Sequence, residues 1–162
     1  MLPKDTMTTD ELLAKQEIFE LHYKYARGID KQDWTTFRSV FHDKVVGDYS
    51  KWGMGVRTEM SGDDFTALVR HLFSTAGLVT QHYMTNFLID VEGDAARGDV
   101  YVFARHKLGE EVMSLNAFYT CEYAKTGEGW KITSISMTPR WDEGADVIKF
   151  FQLPAPAPSS KT

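Results

Sequence analysis

Asp30, His82 and His106 are the residues whose types could together move a proton, and Tyr25, Tyr49 and Arg140 are the groups that could assist. A carboxylate bonded to one imidazole nitrogen fixes the ring tautomer and stabilises the imidazolium formed when the other nitrogen takes a proton. A histidine held this way is a good general base near neutral pH. Phenol and guanidinium groups complement it by holding a leaving oxygen or a developing negative charge. Each residue also has an ordinary structural use. His82 suits a satisfied, half-buried strand position, and His106, between Arg105 and Lys107, suits a solvated strand end. Asp30 can close an Asx-turn. The two tyrosines suit a core with wet hydroxyls, and Arg140 can stack on its neighbour Trp141.

Other chemistries find less support. Cys121 lies mid-strand with no motif around it, and no Gly-x-Ser-x-Gly elbow is present. Asp30, His82 and His106 also form a two-His, one-carboxylate set, a metal alternative. No His-x-x-x-His or His-Glu-x-x-His spacing backs it, so no metal and no cofactor are expected. GMG in KWGMGVR lacks the rest of any phosphate-binding fingerprint.

The elements that must position these side chains follow from periodicity. TTDELLAKQEIFELHYKYARGI reads as a helix capped by Thr9 or Asp10, with Ile18, Leu21, His22, Tyr25 and Ile29 as its buried stripe. Phe19, Tyr23, Ala26 and Asp30 form a second ladder at the edge of that stripe. An acid at this helix end faces the negative end of the dipole, so Asp30 calls for a partner elsewhere. Gly28 and Gly53 read as turns or bends. Asp33 caps a short helix, WTTFRSVF, and VVGDYS reads as a strand. KWGMGVRTEM reads as a hairpin or loop. Ser61 and Asp64 resemble a capping box opening the helix DDFTALVRHLFST. From residue 80 the period becomes two, giving four strands: QHYMTNFLIDV, ARGDVYVFARHK, VMSLNAFYTCEYAK and WKITSISMTPRW. On the first, His82, Met84, Asn86 and Leu88 share a face. On the second, Gly98, Val100, Val102, Ala104 and His106 share one, and its small residues suit a cavity wall. Helices followed by antiparallel strands mean α+β, with helices packed on a curved sheet.

The 162 residues suit one domain, here 8–145, followed by a Pro/Ala/Ser-rich tail, 146–162, expected to be partly flexible. A net charge of −5 with no basic run argues against nucleic acid. The single cysteine excludes an intrachain disulfide. With no signal peptide and no bilayer-length apolar run, no membrane association is expected and the cytoplasm is the default.

The order helix–YARGIDKQDW–short helix–DYS–helix–TQHYMTN–GDAARGDVYVFARH–GWKITSISMTPRW resembles the SnoaL-like family of the NTF2-like superfamily, over about residues 10–141. The resemblance implies a cone: a curved antiparallel sheet closed by three helices around an internal pocket, in a homodimer or homotrimer. Asp30, Tyr49, His82 and His106 match positions around the substrate in the scytalone dehydratase branch. Asp30, His82 and Arg140 match the dyad and arginine of the hexachlorocyclohexane dehydrochlorinase branch, whose lysine is replaced by Tyr25. A tyrosine holds that place in the bile-acid 7α-dehydratase branch. The missing lysine argues against halide elimination. The resemblance therefore implies a lyase of the dehydratase type acting on a hydrophobic cyclic molecule. Isomerisation by the same base, and a non-catalytic binding or partner-subunit role, are the alternatives.

Overall fold

In the computed structural model, residues 7–146 and 151 are described. The first helix, α1 (Thr9–Asp30), opens with a capping box. Thr8 rather than Thr9 or Asp10 is the cap, because its hydroxyl accepts from the Glu11 amide while the Glu11 carboxylate accepts from the Thr8 amide. Ile18, Leu21, Tyr25 and Ile29 are buried along the expected stripe. Gly28 is not a bend. It lies inside α1, where a Cβ would come within 2.7 Å of the Phe37 Cβ. The missing side chain lets α2 (Trp34–Ser39) pack against α1, and Asp33 caps α2 through the Thr36 amide.

Phe41 begins a strand, β1 (Phe41–Tyr49), instead of ending the short helix. A 3-10 turn, Ser50–Trp52, and Gly53 at φ 76° lead into β2 (Met54–Ser61), so the glycine-rich stretch is the outer arm of a hairpin. Ser61 caps α3 (Gly62–Leu72). Four long strands follow: β3 (Leu78–Glu92), β4 (Ala95–Leu108), β5 (Glu111–Thr126) and β6 (Gly129–Gly144). The order across the sheet is β2-β1-β6-β5-β4-β3. Neighbours are antiparallel except β1 and β6, which run parallel. The sheet curves around a core closed by the three helices, the α+β cone.

Register shifts in the strands decide which side chains face inward, and two of them bear on the candidate site residues. Asn86 at φ 52° sits in a bulge, since Thr85 pairs with Tyr101 while Leu88 pairs with Asp99. The extra residue flips the face: Met84 is buried, Leu88 is exposed and Ile89 is buried. Simple alternation from His82 to Leu88 therefore fails after Met84. The second bulge falls in β6, where Pro139 pairs with Ala117 and Trp141 with Asn116, leaving Arg140 unpaired.

On the outer face, Tyr83, Phe103, Asn116 and Trp141 follow one another across four strands. Tyr83 stacks on Phe103, and in the next row Tyr101 meets Phe118 edge-on. Among the described residues no helix is long and apolar enough to cross a membrane.

Candidate active site

Asp30 is the last residue of α1, and β3 is an edge strand. An edge strand presents amides with no sheet partner. The Asp30 carboxylate takes up one of them: its Oδ2 accepts from the His82 backbone amide at 2.9 Å. Its Oδ1 lies 2.7 Å from His82 Nδ1 and accepts from the Thr80 hydroxyl at 2.8 Å. These bonds answer the unfavourable helix end. They also join α1 to the rim of the sheet, so Asp30 is both a structural tie and the partner of an imidazole. Burial raises the Asp30 pKa, but the bonds from His82 and Thr80 outweigh it and hold the carboxyl below its usual range. An ionised Asp30 accepts, so His82 Nδ1 donates and Nε2 carries the lone pair.

His82 separates two hollows. On the outer side, Tyr23, Arg27, Lys31 and Asp30 line an open cleft. On the inner side lies a cavity of about 250 Å³. Its described lining is apolar apart from His82, His106, the indole of Trp52 and three phenols, those of Tyr25, Tyr49 and Tyr119. His106 follows Ala104 on the inner face of β4, and its ring meets that of His82 edge to face with centroids 5.5 Å apart. Burial, and next the neighbouring His82, push the His106 imidazole down to about 3, so it is neutral at ordinary pH.

The phenols gather around the Tyr25 hydroxyl, which lies 3.2 Å from that of Tyr119 and 3.5 Å from that of Tyr49. Burial raises all three phenol pKa values, which keeps the hydroxyls protonated. Of the six residues singled out in the sequence, the structure brings five to this cavity and its wall. Arg140 is not among them. As the bulge residue of β6 it is exposed, with its guanidinium 5.3 Å from the centre of the Phe118 ring on the outer face. The expected stacking on Trp141 is thus replaced by a contact with Phe118.

Three contributors escaped the sequence reading. Thr80 stands two residues before His82 on the same strand face, a spacing that strand periodicity could have supplied. Tyr119 continues the inward row Leu115, Ala117, Tyr119 of β5. Phe151, which carries no sequence signal, lines the cavity and packs on His106 and Phe73 with centroids 5.2 and 5.5 Å away. The Pro/Ala/Ser-rich stretch from residue 152 lies outside the described residues. Trp34, Phe103 and Met84, the side chains able to fill a cone of this kind, lie elsewhere: Trp34 on Phe37, Phe103 on Tyr83, and Met84 beside the outer cleft. Among the described residues no group of three or more His, Cys, Asp or Glu is placed to hold a metal ion.

Solved structures share this architecture. A Kribbella flavida protein, Kfla4162, is 25% identical, with 82% of this chain and 94% of that one covered and a TM-score of 0.77. A Novosphingobium aromaticivorans protein described as a candidate scytalone dehydratase is 18% identical, with 96% and 99% covered and a TM-score of 0.76. The LinA-type3 hexachlorocyclohexane dehydrochlorinase of Novosphingobium barchaimii is 22% identical, with 84% and 92% covered and a TM-score of 0.72. The sequence has no significant match among curated proteins. The family model of the SnoaL-like domain matches residues 10–136, a span that holds the Asp30–His82 pair and the phenol cluster, and the chain belongs to that family.

Proposed function

We propose that this protein is a cofactor-independent lyase that removes water from a hydrophobic cyclic small molecule, with His82 as its base. The observation that carries the reading is the 2.7 Å contact of Asp30 with His82 at the wall of an apolar cavity. His82 Nε2 takes a proton from a carbon next to a carbonyl. The electron pair released forms the double bond as the carbon–oxygen bond of a neighbouring hydroxyl breaks. The departing hydroxide takes the proton from the His82 imidazolium and leaves as water, so the base ends as it began. His106 is neutral, so it supplies a hydrogen bond and no net proton. Tyr25 and Tyr49 offer hydroxyls to developing negative charge on oxygen. The apolar, phenol-tipped lining favours an uncharged substrate and a leaving group that departs neutral, in line with water rather than halide. Two fold relatives, a candidate dehydratase and a dehydrochlorinase, support the same class of elimination.

The reading includes self-association. Tyr83, Tyr101 and Trp141 are 45%, 47% and 54% exposed, and with Phe103 and Phe118 they form one aromatic surface on the outer face of the sheet. A contiguous patch of this kind marks an interaction surface, and a second copy of the chain is the partner proposed.

The test is turnover of a panel of cyclic β-hydroxy ketones, read as loss of water by mass spectrometry. Gln in place of His82 can still donate to Asp30, so His82→Gln should keep the wild-type Tm and circular dichroism. Its kcat should fall by roughly 10²–10⁴-fold. Near-normal turnover in that variant removes His82 from the mechanism. A product of unchanged mass assigns proton transfer without elimination.

A further inference from the structure

Thr80 and His82 stand two residues apart on β3, and both donate to one carboxylate. Asp30 Oδ1 is shared: it lies 2.8 Å from the Thr80 hydroxyl and 2.7 Å from His82 Nδ1. Asp30 Oδ2 accepts from the His82 amide at 2.9 Å. The ring and amide bonds come from a single residue, and two points define only an axis about which a carboxylate can tilt. The Thr80 hydroxyl is a third point, on a different residue, and it stops that tilt.

Asp30 needs such a hold because other donors stand near it. It borders the outer cleft, whose wall also carries Arg27 and Lys31 at the same end of α1. Side chains three apart on a helix are neighbours, so the Arg27 guanidinium competes with the His82 ring for the carboxylate. A carboxylate turned toward Arg27 leaves His82 Nδ1 without its acceptor. The ring can then carry its hydrogen on Nε2 instead, and an Nε2–H cannot take a proton. Among the described residues Thr80 is not part of the inner cavity's lining. Its effect on a molecule bound there therefore runs through Asp30 and His82.

We infer that Thr80 is a positioning residue for the elimination: its hydroxyl fixes the Asp30 carboxylate on the His82 ring and keeps it from turning into the outer cleft. The inference rests on the lyase reading, in which His82 works with Nδ1–H toward Asp30 and the Nε2 lone pair toward the substrate. It assigns the pair Thr80 and His82 one joint task on the edge of the sheet, a cradle for the acid that ends α1. The base is then set by three donors from β3, not by the ring contact alone.

The test reads the tautomer of His82 by ¹⁵N NMR of histidine-labelled protein, which needs no substrate. In the wild-type protein the hydrogen should sit on Nδ1. Thr80→Val removes the hydroxyl but keeps the branched shape, and should move a measurable share of His82 to the Nε2–H form. Thr80→Ser keeps the hydroxyl and should restore the wild-type pattern. A variant that is merely destabilised would keep the wild-type tautomer in its folded fraction. In turnover, Thr80→Val should lower kcat by about 10- to 100-fold, the range for one hydrogen bond to a charged group. Its KM should stay within about twofold of wild type, and Thr80→Ser should recover most of the lost kcat. An unchanged tautomer in Thr80→Val overturns the inference, and so does a Thr80→Ser variant that behaves like Thr80→Val. Near-normal turnover in His82→Gln beside a shifted tautomer in Thr80→Val separates the two readings: the base assignment falls and the hold of Thr80 on the pair stands. If Thr80→Val does not fold, a crystal structure of the wild-type protein decides. A Thr80 hydroxyl more than about 3.5 Å from both Asp30 carboxylate oxygens overturns the inference.

Discussion

His82 and His106 meet edge to face, with ring planes at 88° and centroids 5.5 Å apart, and the Asp30 carboxylate is bonded to the ring of His82. In the proposed reading that carboxylate suits His82 to the role of base. His106 lies deeper among apolar groups and holds its neutral form down to about 3. NMR of the ring protons should show His106 keeping its neutral chemical shifts down to pH 4.

The same physics governs acid stability. His22 is fully buried, its Nε2 lies 2.7 Å from the Tyr123 hydroxyl, and burial pushes it down to about 4. Both His22 and His106 are depressed in the folded state. Below the ordinary histidine value of about 6.5 the unfolded chain binds protons that the native chain refuses. Stability is therefore complete above pH 7 and lost as the pH falls through the interval from about 6.5 to the folded values. The His22 share is of order 3 kcal/mol. Urea titrations from pH 7.5 to 4 should show a falling midpoint, and His22→Gln, which lacks a titrating ring, should flatten that fall. An unchanged pH slope in the variant would show that His22 is not held neutral.

Arg140 gives a test of the site's boundary. The family resemblance implies a role for this arginine in the pocket, and the tertiary structure puts its guanidinium over Phe118 on the opposite face of the sheet. Arg140→Ala should change kcat by less than about threefold, against the 10²–10⁴-fold expected for loss of a general base. A loss on the latter scale would mean that Arg140 reaches the reacting atoms.

Gly28 tests how α1 and α2 are held together. Replacing a helical glycine with alanine ordinarily gains about 1 kcal/mol. Here the new Cβ would stand 2.7 Å from the Phe37 Cβ and 2.9 Å from its Cα. Gly28→Ala should therefore destabilise by about 1–3 kcal/mol, the cost of overpacking. Gly127→Ala is the control, because a Cβ there meets nothing within 4 Å. Thermal unfolding of the two variants should move only the first.

The aromatic outer face predicts the behaviour of the chain in solution. Sedimentation of the wild-type protein should give a dimer or trimer. The double substitution Tyr101→Lys and Phe103→Lys places charges in the middle of the patch and should yield monomers with little change in Tm at low protein concentration. A monomeric wild-type protein removes the proposed self-association.

The sequence by itself determined the local elements, since helical and strand periods are written in neighbouring residues. The stripe from Ile18 to Ile29, the Asp33 and Ser61 caps and the four long strands are all legible there. It also raised the question of Asp30, because an acid at a helix C-terminus is out of place on local grounds alone. The tertiary structure decided the rest. Asp30 and His82 are 52 positions apart and meet only because the end of α1 lands on the edge of β3. Bulges, among them those at Asn86 and Arg140, reset which residues face inward. A bulge shifts the period by one, so alternation read from the chain predicts the wrong face beyond it. Tyr119 and Phe151 join the cavity through the tertiary fold, which no run of adjacent residues encodes.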